Sequence, residues 1–147
     1  MPLTAGTMTL ETDKKQYRPG QTVKVTATLK LKKPTKAEWL KVILEGFETA
    51  IKTKRETVTI KGGRGKSPKK VERAESEEIV SALQYDERLV GEKKTYRSGK
   101  YHASFKLPKT LKRTAKSGRA KVAYSLKARL NILLGLDVNA EQELVVN

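Results

Sequence analysis

Apolar and polar residues alternate with a period of two along much of this chain. Tyr101, Ala103, Phe105 and Leu107 alternate with His102, Ser104 and Lys106. Ala120, Val122, Tyr124, Leu126, Ala128, Leu130 and Ile132 alternate with Lys121, Ala123, Ser125, Lys127, Arg129 and Asn131. That period puts successive side chains on opposite faces, so each run predicts a strand with one buried face and one wet face. Val23, Val25, Ala27, Leu29 and Leu31, spaced by Lys24, Thr26, Thr28 and Lys30, predict a third half-buried strand. Met8 and Leu10 mark a short first strand within Thr7 to Thr12. Val138, Ala140, Leu144 and Val146 mark a last one.

Between these runs the pattern is less simple. In Ala37 to Ile51, Trp39, Ile43 and Phe47 share one face, and Leu40, Val42 and Leu44 share the other. Apolar residues on both faces predict a central strand covered on both sides, or a bend that changes the inward face, with Gly46 as the bend site. Thr53 to Lys61 is β-branched and reads as another strand. Gly62 to Lys70 reads as a loop, part of a flexible basic stretch at about 61–75. Glu75 to Gly91 fits two periods. Ile79, Val80 and Leu83 have helical spacing behind acidic residues that suit a helix start. Ile79, Leu83, Tyr85 and Leu89 also share a strand face. We take the strand, as the first half of a long hairpin into Gly99 to Leu107. Arg18-Pro19-Gly20 is turn chemistry, with proline fixing φ and glycine free to take positive φ. Short strands separated by turns, with little helix, predict an all-β fold, a β-sandwich.

A chain of 147 residues suits one domain that can bury roughly 70% of its unfolded surface. It has no cysteine, which excludes disulfides, thiolate catalysis and cysteine-ligated zinc, and fits a reducing compartment. Met1-Pro-Leu-Thr-Ala-Gly6 lacks a basic region followed by an apolar core. The apolar run Ile132 to Leu136 is far shorter than the ~20 residues of a membrane helix. The expectation is a cytoplasmic protein.

The formal charge is +16, from 32 Lys and Arg against 16 Asp and Glu. A Lys/Glu-rich surface of the kind thermophile proteins carry explains charge of both signs better than a two-to-one excess of one sign. The excess points to a polyanionic partner. From Lys93 to Leu136 there are thirteen Lys or Arg and no Asp or Glu.

Catalytic chemistry is thin. His102 is the only histidine and lies on a polar strand face, so no Ser/His/Asp set forms without it. Glu75, Glu77 and Glu78 lack calcium-loop spacing and read as a solvated acidic patch. Gly65-Lys66-Ser67 resembles the end of a phosphate-binding loop, but the glycine required five residues earlier is Ile60, and Pro68 offers no helix start. Trp39 reads as core or interface. No enzyme, metal or cofactor is implied.

Four segments carry a family resemblance. Tyr17-Arg-Pro-Gly20 with Val23 and the strand through Leu31 resembles the opening of the arrestin N-terminal domain, in its α-arrestin form. Val42-Ile-Leu-Glu-Gly46 is similar to its third strand. Gly99-Lys-Tyr-His-Ala-Ser-Phe-Lys-Leu-Pro108 resembles its Gly-x-aromatic-x-x-x-Phe-x-Leu-Pro segment, and Gly118 to Leu130 its Gly-x-x-x-x-Tyr-x-Leu/Val-x-Ala-x-Leu strand. The resemblance implies a two-sheet, immunoglobulin-like sandwich of the arrestin N-domain type. It also implies a non-enzymatic adaptor or scaffold that binds phosphorylated or acidic protein segments, membranes or trafficking partners. Arrestins have two such domains and this chain has length for one, which leaves a face, or an exposed sheet edge, open to forming a homodimer. The family's proline-rich loop after Leu-Pro is replaced here by Lys109, Lys112, Arg113 and Lys116.

The expected polyanion-binding residues are therefore Lys106, Lys109, Lys112, Arg113, Lys116, Arg119 and Lys121, with Arg64, Lys66, Lys69 and Lys70 as a second cluster. Such patches bind phosphates with release of counterions. Aromatics are only 5% of the chain, so base stacking is not the expected mode. Structured RNA in a ribonucleoprotein such as the ribosome, recognised by shape, is the first expectation. An adaptor for phosphorylated or acidic protein segments, or an anionic membrane surface, is the alternative.

Overall fold

In a computed structural model, which describes residues 5–60, 65 and 69–147, every regular element is a strand. The strands are β1 (Gly6–Thr12), β2 (Gln16–Tyr17), β3 (Thr22–Leu31), β4 (Thr35–Ile60), β5 (Lys69–Gly91), β6 (Lys94–Tyr96), β7 (Gly99–Lys106), β8 (Ala115–Lys116), β9 (Ala120–Ile132) and β10 (Val138–Val146). They form two sheets. The smaller has the order β1-β3-β7, and the larger β2-β10-β9-β4-β5, with β6 on β4 and β8 on β9.

The alternating runs bury the faces they predict. Met8, Leu10, Val23, Val25, Ala27, Leu29, Ala103 and Phe105 of the small sheet meet Leu40, Val42, Leu44, Val122, Leu126, Leu130 and Leu144 of the large sheet in one core. The other faces are wet: Lys24, Thr26 and Lys30 on β3, and Lys127 and Arg129 on β9.

Three expectations need correction. The Ala37–Ile51 and Thr53–Lys61 segments form one strand, β4, of 26 residues. Glu75 to Gly91 is strand, but its partner is β4 rather than Gly99 to Leu107, which pairs with β3 instead. The β4–β5 ladder runs from Ile60↔Lys69 to Leu40↔Gly91, and a hairpin between neighbours in sequence closes at a smaller entropic cost than a crossing to the other sheet. Residues 69–75 are therefore strand rather than loop, while 61–64 and 66–68 lie outside the described residues.

The β4–β5 register shifts between Gly46 and Phe47, at the expected bend. The outer face of β4 is not covered among the described residues: Phe47 and Ile51 are exposed, as are Val80, Tyr85 and Leu89 on β5. Trp39 is half-buried on that outer face, with Lys41 Nζ 4.4 Å from its ring centroid, and so stands outside the core. No helix among the described residues is long and apolar enough to cross a membrane.

The sandwich has two distinct ends. One holds the Arg18–Gln21 turn, the 107–119 segment and the end of β10, as the pairs Thr22↔Lys106 and Val146↔Tyr17 require. The other holds the β3–β4, β6–β7 and β9–β10 connections, as Leu29↔Gly99 and Ala37↔Ile132 require.

Candidate polyanion-binding site

The turn at residues 18–21 closes when Gln21 N donates to the Arg18 carbonyl at 3.1 Å. Pro19 follows Arg18, and Gly20 has φ 89°, which a residue bearing a Cβ adopts only under strain. The turn therefore fixes the direction of Arg18. The segment after β7 is anchored beside it by backbone bonds. Leu107 N donates to the Gln21 carbonyl at 2.9 Å, Leu111 N to Pro108 O at 3.2 Å, and Thr114 N to Val146 O at 2.7 Å. Val146 N donates to Thr114 Oγ1 at 2.9 Å, and the buried Tyr124 hydroxyl donates to the Lys112 carbonyl at 2.5 Å. Burial, and then the Glu48 charge, push the Tyr124 pKa up, so that hydroxyl keeps its proton well above neutrality.

These anchors place Arg18, Lys109 and Arg113 around an open cleft of about 560 Å³, completed by Pro19 and Asn147, with no carboxylate in its lining. Three cations sharing one cleft suit a phosphate or carboxylate, and the arginines can present planar forks to its oxygens.

The remaining expected residues divide. Lys112 points away from the cleft and bonds Glu48 Oε1 and Oε2 at 3.0 and 2.8 Å. Lys116 and Lys121 are cross-strand partners on β8 and β9, both exposed. Arg119 is exposed, and its carbonyl accepts from Ile51 N at 2.8 Å. Lys106 is exposed opposite Thr22, on the outer face of the small sheet. Arg64 and Lys66 lie outside the described residues. Lys69 and Lys70 are described by their backbone, in β5, opposite Ile60 and Thr59.

Arg18 did not enter the expected set, because Arg-Pro-Gly reads as turn chemistry. The signal available was its charge at a turn whose neighbours were unknown. Conversely, the acid-free stretch of sequence is not acid-free in space. Lys127 Nζ is 3.1 Å from Glu45, and Arg129 Nε is 3.2 Å from Asp137 and donates to Asn139 at 3.1 Å.

His102 is exposed, with Nδ1 3.2 Å from Thr26 Oγ1. Among the described residues no group of three His, Asp or Glu could hold a metal ion.

Comparison with known proteins agrees with this architecture. The family model of the arrestin (or S-antigen) C-terminal domain matches residues 6–146. The motifs resemble the N-terminal domain, and the matching description is that of its C-terminal counterpart. The crystal structure of Spo0M, the sporulation control protein of Bacillus subtilis, superposes with a TM-score of 0.64 at 18% identity. The superposition covers 98% of this chain and 50% of that one, so the chain spans about half the length of Spo0M. No curated protein matches the sequence.

Proposed function

The chain belongs to the arrestin family, and from that premise we propose that it is a non-enzymatic binding module that docks on a polyanion, structured RNA in a ribonucleoprotein above all. The observation that carries this reading is the carboxylate-free cleft of Arg18, Lys109 and Arg113. Around it Lys106, Lys116, Arg119 and Lys121 are exposed at the same end of the sandwich. A cleft for one phosphate surrounded by further cations fits a backbone that presents many phosphates, and binding there proceeds by neutralisation and counterion release. The scarcity of aromatics turns recognition toward shape and phosphate rather than stacked bases.

The test is a titration of duplex RNA against the wild type and the triple variant Arg18→Glu, Lys109→Glu, Arg113→Glu. All three residues are exposed, so the thermal midpoint should hold. Affinity at ~0.1 M salt should fall by at least tenfold. Unchanged affinity in the variant, or no binding by the wild type at low salt, rejects the reading.

A second reading follows from family membership: an adaptor for phosphorylated or acidic protein segments that uses the same cleft. Partners captured from lysate that survive nuclease treatment, and are lost with the triple variant, would favour it over RNA.

A further inference from the structure

The end of the sandwich opposite the basic cleft carries a different constellation. Strand β9 leads into β10 through Leu133-Leu134-Gly135-Leu136. Leu134 is fully exposed, and Leu133 and Leu136 are 36% and 54% exposed. Leu134 also has φ 56°, the left-handed region where glycine fits best and a leucine is strained. A turn formed only to reverse the chain gains nothing from three exposed leucines. The turn is firmly held: Leu133 N donates to Lys36 O at 3.4 Å, and Ile132 N to Asp137 Oδ1 at 3.0 Å. The leucines are thus presented by a fixed support.

Cations surround this tip. Lys32 and Lys33 lie in the β3–β4 connection, and Lys36 pairs with Thr95 beside Lys94 and Lys93. Arg97 follows β6. All six are exposed. Of the nearby acids, Asp137 is taken by Arg129 and Glu38 lies 3.9 Å from Lys93, which leaves Glu92 at the rim. The surface is net positive around an apolar point. A nucleic acid has no use for exposed leucines, and an acidic peptide needs no protruding tip. An anionic bilayer matches both parts, since its headgroups attract lysines and its acyl boundary accepts apolar side chains.

We infer that the Leu133–Leu136 tip and its lysine collar form a second docking surface, which seats this end of the protein on an anionic lipid bilayer. Strand β9 has 13 residues, so the basic cleft lies about 40 Å away and faces outward from that bilayer. This surface is independent of the polyanion cleft. With a Debye length of about 8 Å at physiological salt, the cleft's charges add little to attraction at the tip.

The experiment is flotation of the whole chain at physiological salt with two kinds of vesicle, phosphatidylcholine alone and phosphatidylcholine with about one-third phosphatidylglycerol. The wild type should float with the anionic vesicles only. Leu134→Ser with Leu136→Ser should lower partitioning by about tenfold or more. Lys32→Glu, Lys33→Glu, Lys36→Glu should lower it further, while the Arg18, Lys109 and Arg113 variant should stay within about twofold of wild type. In RNA titration the order should invert, with the tip variants unaffected. Absence of flotation, an unaffected leucine variant, or equal loss in the cleft variant overturns the inference. The last result would mean that net charge alone provides the attraction.

Discussion

Tyr124 joins the core to the basic cleft. Its ring fills the space a side chain at Gly46 would need, since a Cβ there would lie 2.3 Å from Cε1 and 2.4 Å from Cδ1. Its hydroxyl holds the Lys112 carbonyl. Gly46→Ala should therefore displace the ring and destabilise the protein by ~1–3 kcal/mol, read as a lower urea midpoint. Tyr124→Phe keeps the ring and removes one bond, at a cost of about 1 kcal/mol. It should also weaken anion binding, because Lys109 and Arg113 flank the carbonyl it releases.

A second residue-scale device is the Asp13–Tyr17 pair. The Tyr17 hydroxyl donates to Asp13 Oδ1, which also accepts from Lys24 N at 3.1 Å. The Tyr17 bond first, and then the Lys24 amide, hold the Asp13 carboxyl below the usual range. A depressed carboxylate contributes stability that is present above its unfolded value and lost as pH falls through its folded value. Urea midpoints measured downward from about pH 5 should therefore fall less steeply in Tyr17→Phe than in wild type, once each is referenced to its own neutral value. An identical acid slope in the two proteins would refute the role of the pair.

At the scale of elements, β4 and β5 are each longer than the sandwich needs. The β4–β9 ladder ends at Ala50↔Ala120, and beyond it the pairs from Ile51↔Glu78 to Ile60↔Lys69 belong to the hairpin alone. No buried core residue lies between Leu44 and Tyr96 among those described. A two-stranded extension of this kind adds little to global stability. Replacing residues 53–76 with a tight Asn-Gly turn should shift the thermal midpoint by only a few degrees. A collapse of the fold would show that the extension supports the core.

Strand existence was legible wherever one face meets the core, as in β3, β7 and β9, because burial imposes the period. Strand partnership was not. Residues 79–89 carry apolar side chains on a face the described structure leaves open, with Val80, Tyr85 and Leu89 exposed, so their pattern reports no partner.

Across the whole molecule, the +16 charge is unevenly placed. The outer face of the large sheet is laced with ion pairs: Lys41–Glu87 at 2.9 Å and Lys127–Glu45 at 3.1 Å. Such exposed pairs contribute about 0–1 kcal/mol each to stability, yet they cancel the field locally. The two ends of the sandwich keep the excess. If RNA docks at the cleft end, log affinity should fall linearly with log salt, by roughly 0.9 for each phosphate contacted on a duplex. The slope should shrink in the triple cleft variant and hold in Lys112→Ala, whose charge Glu48 already satisfies.

The sequence by itself determined the class of the fold and its family. A period of two, turn residues and four ordered motifs are local features, written in consecutive residues. It also determined the excess of positive charge. Tertiary structure decided which charges act together, because ion pairing and clefts arise between strands far apart in the chain. Glu48 reaches Lys112 across 64 positions, and Arg18 shares a cleft with Arg113. Neither distance is encoded in any local pattern. Both are set by the order in which strands pair.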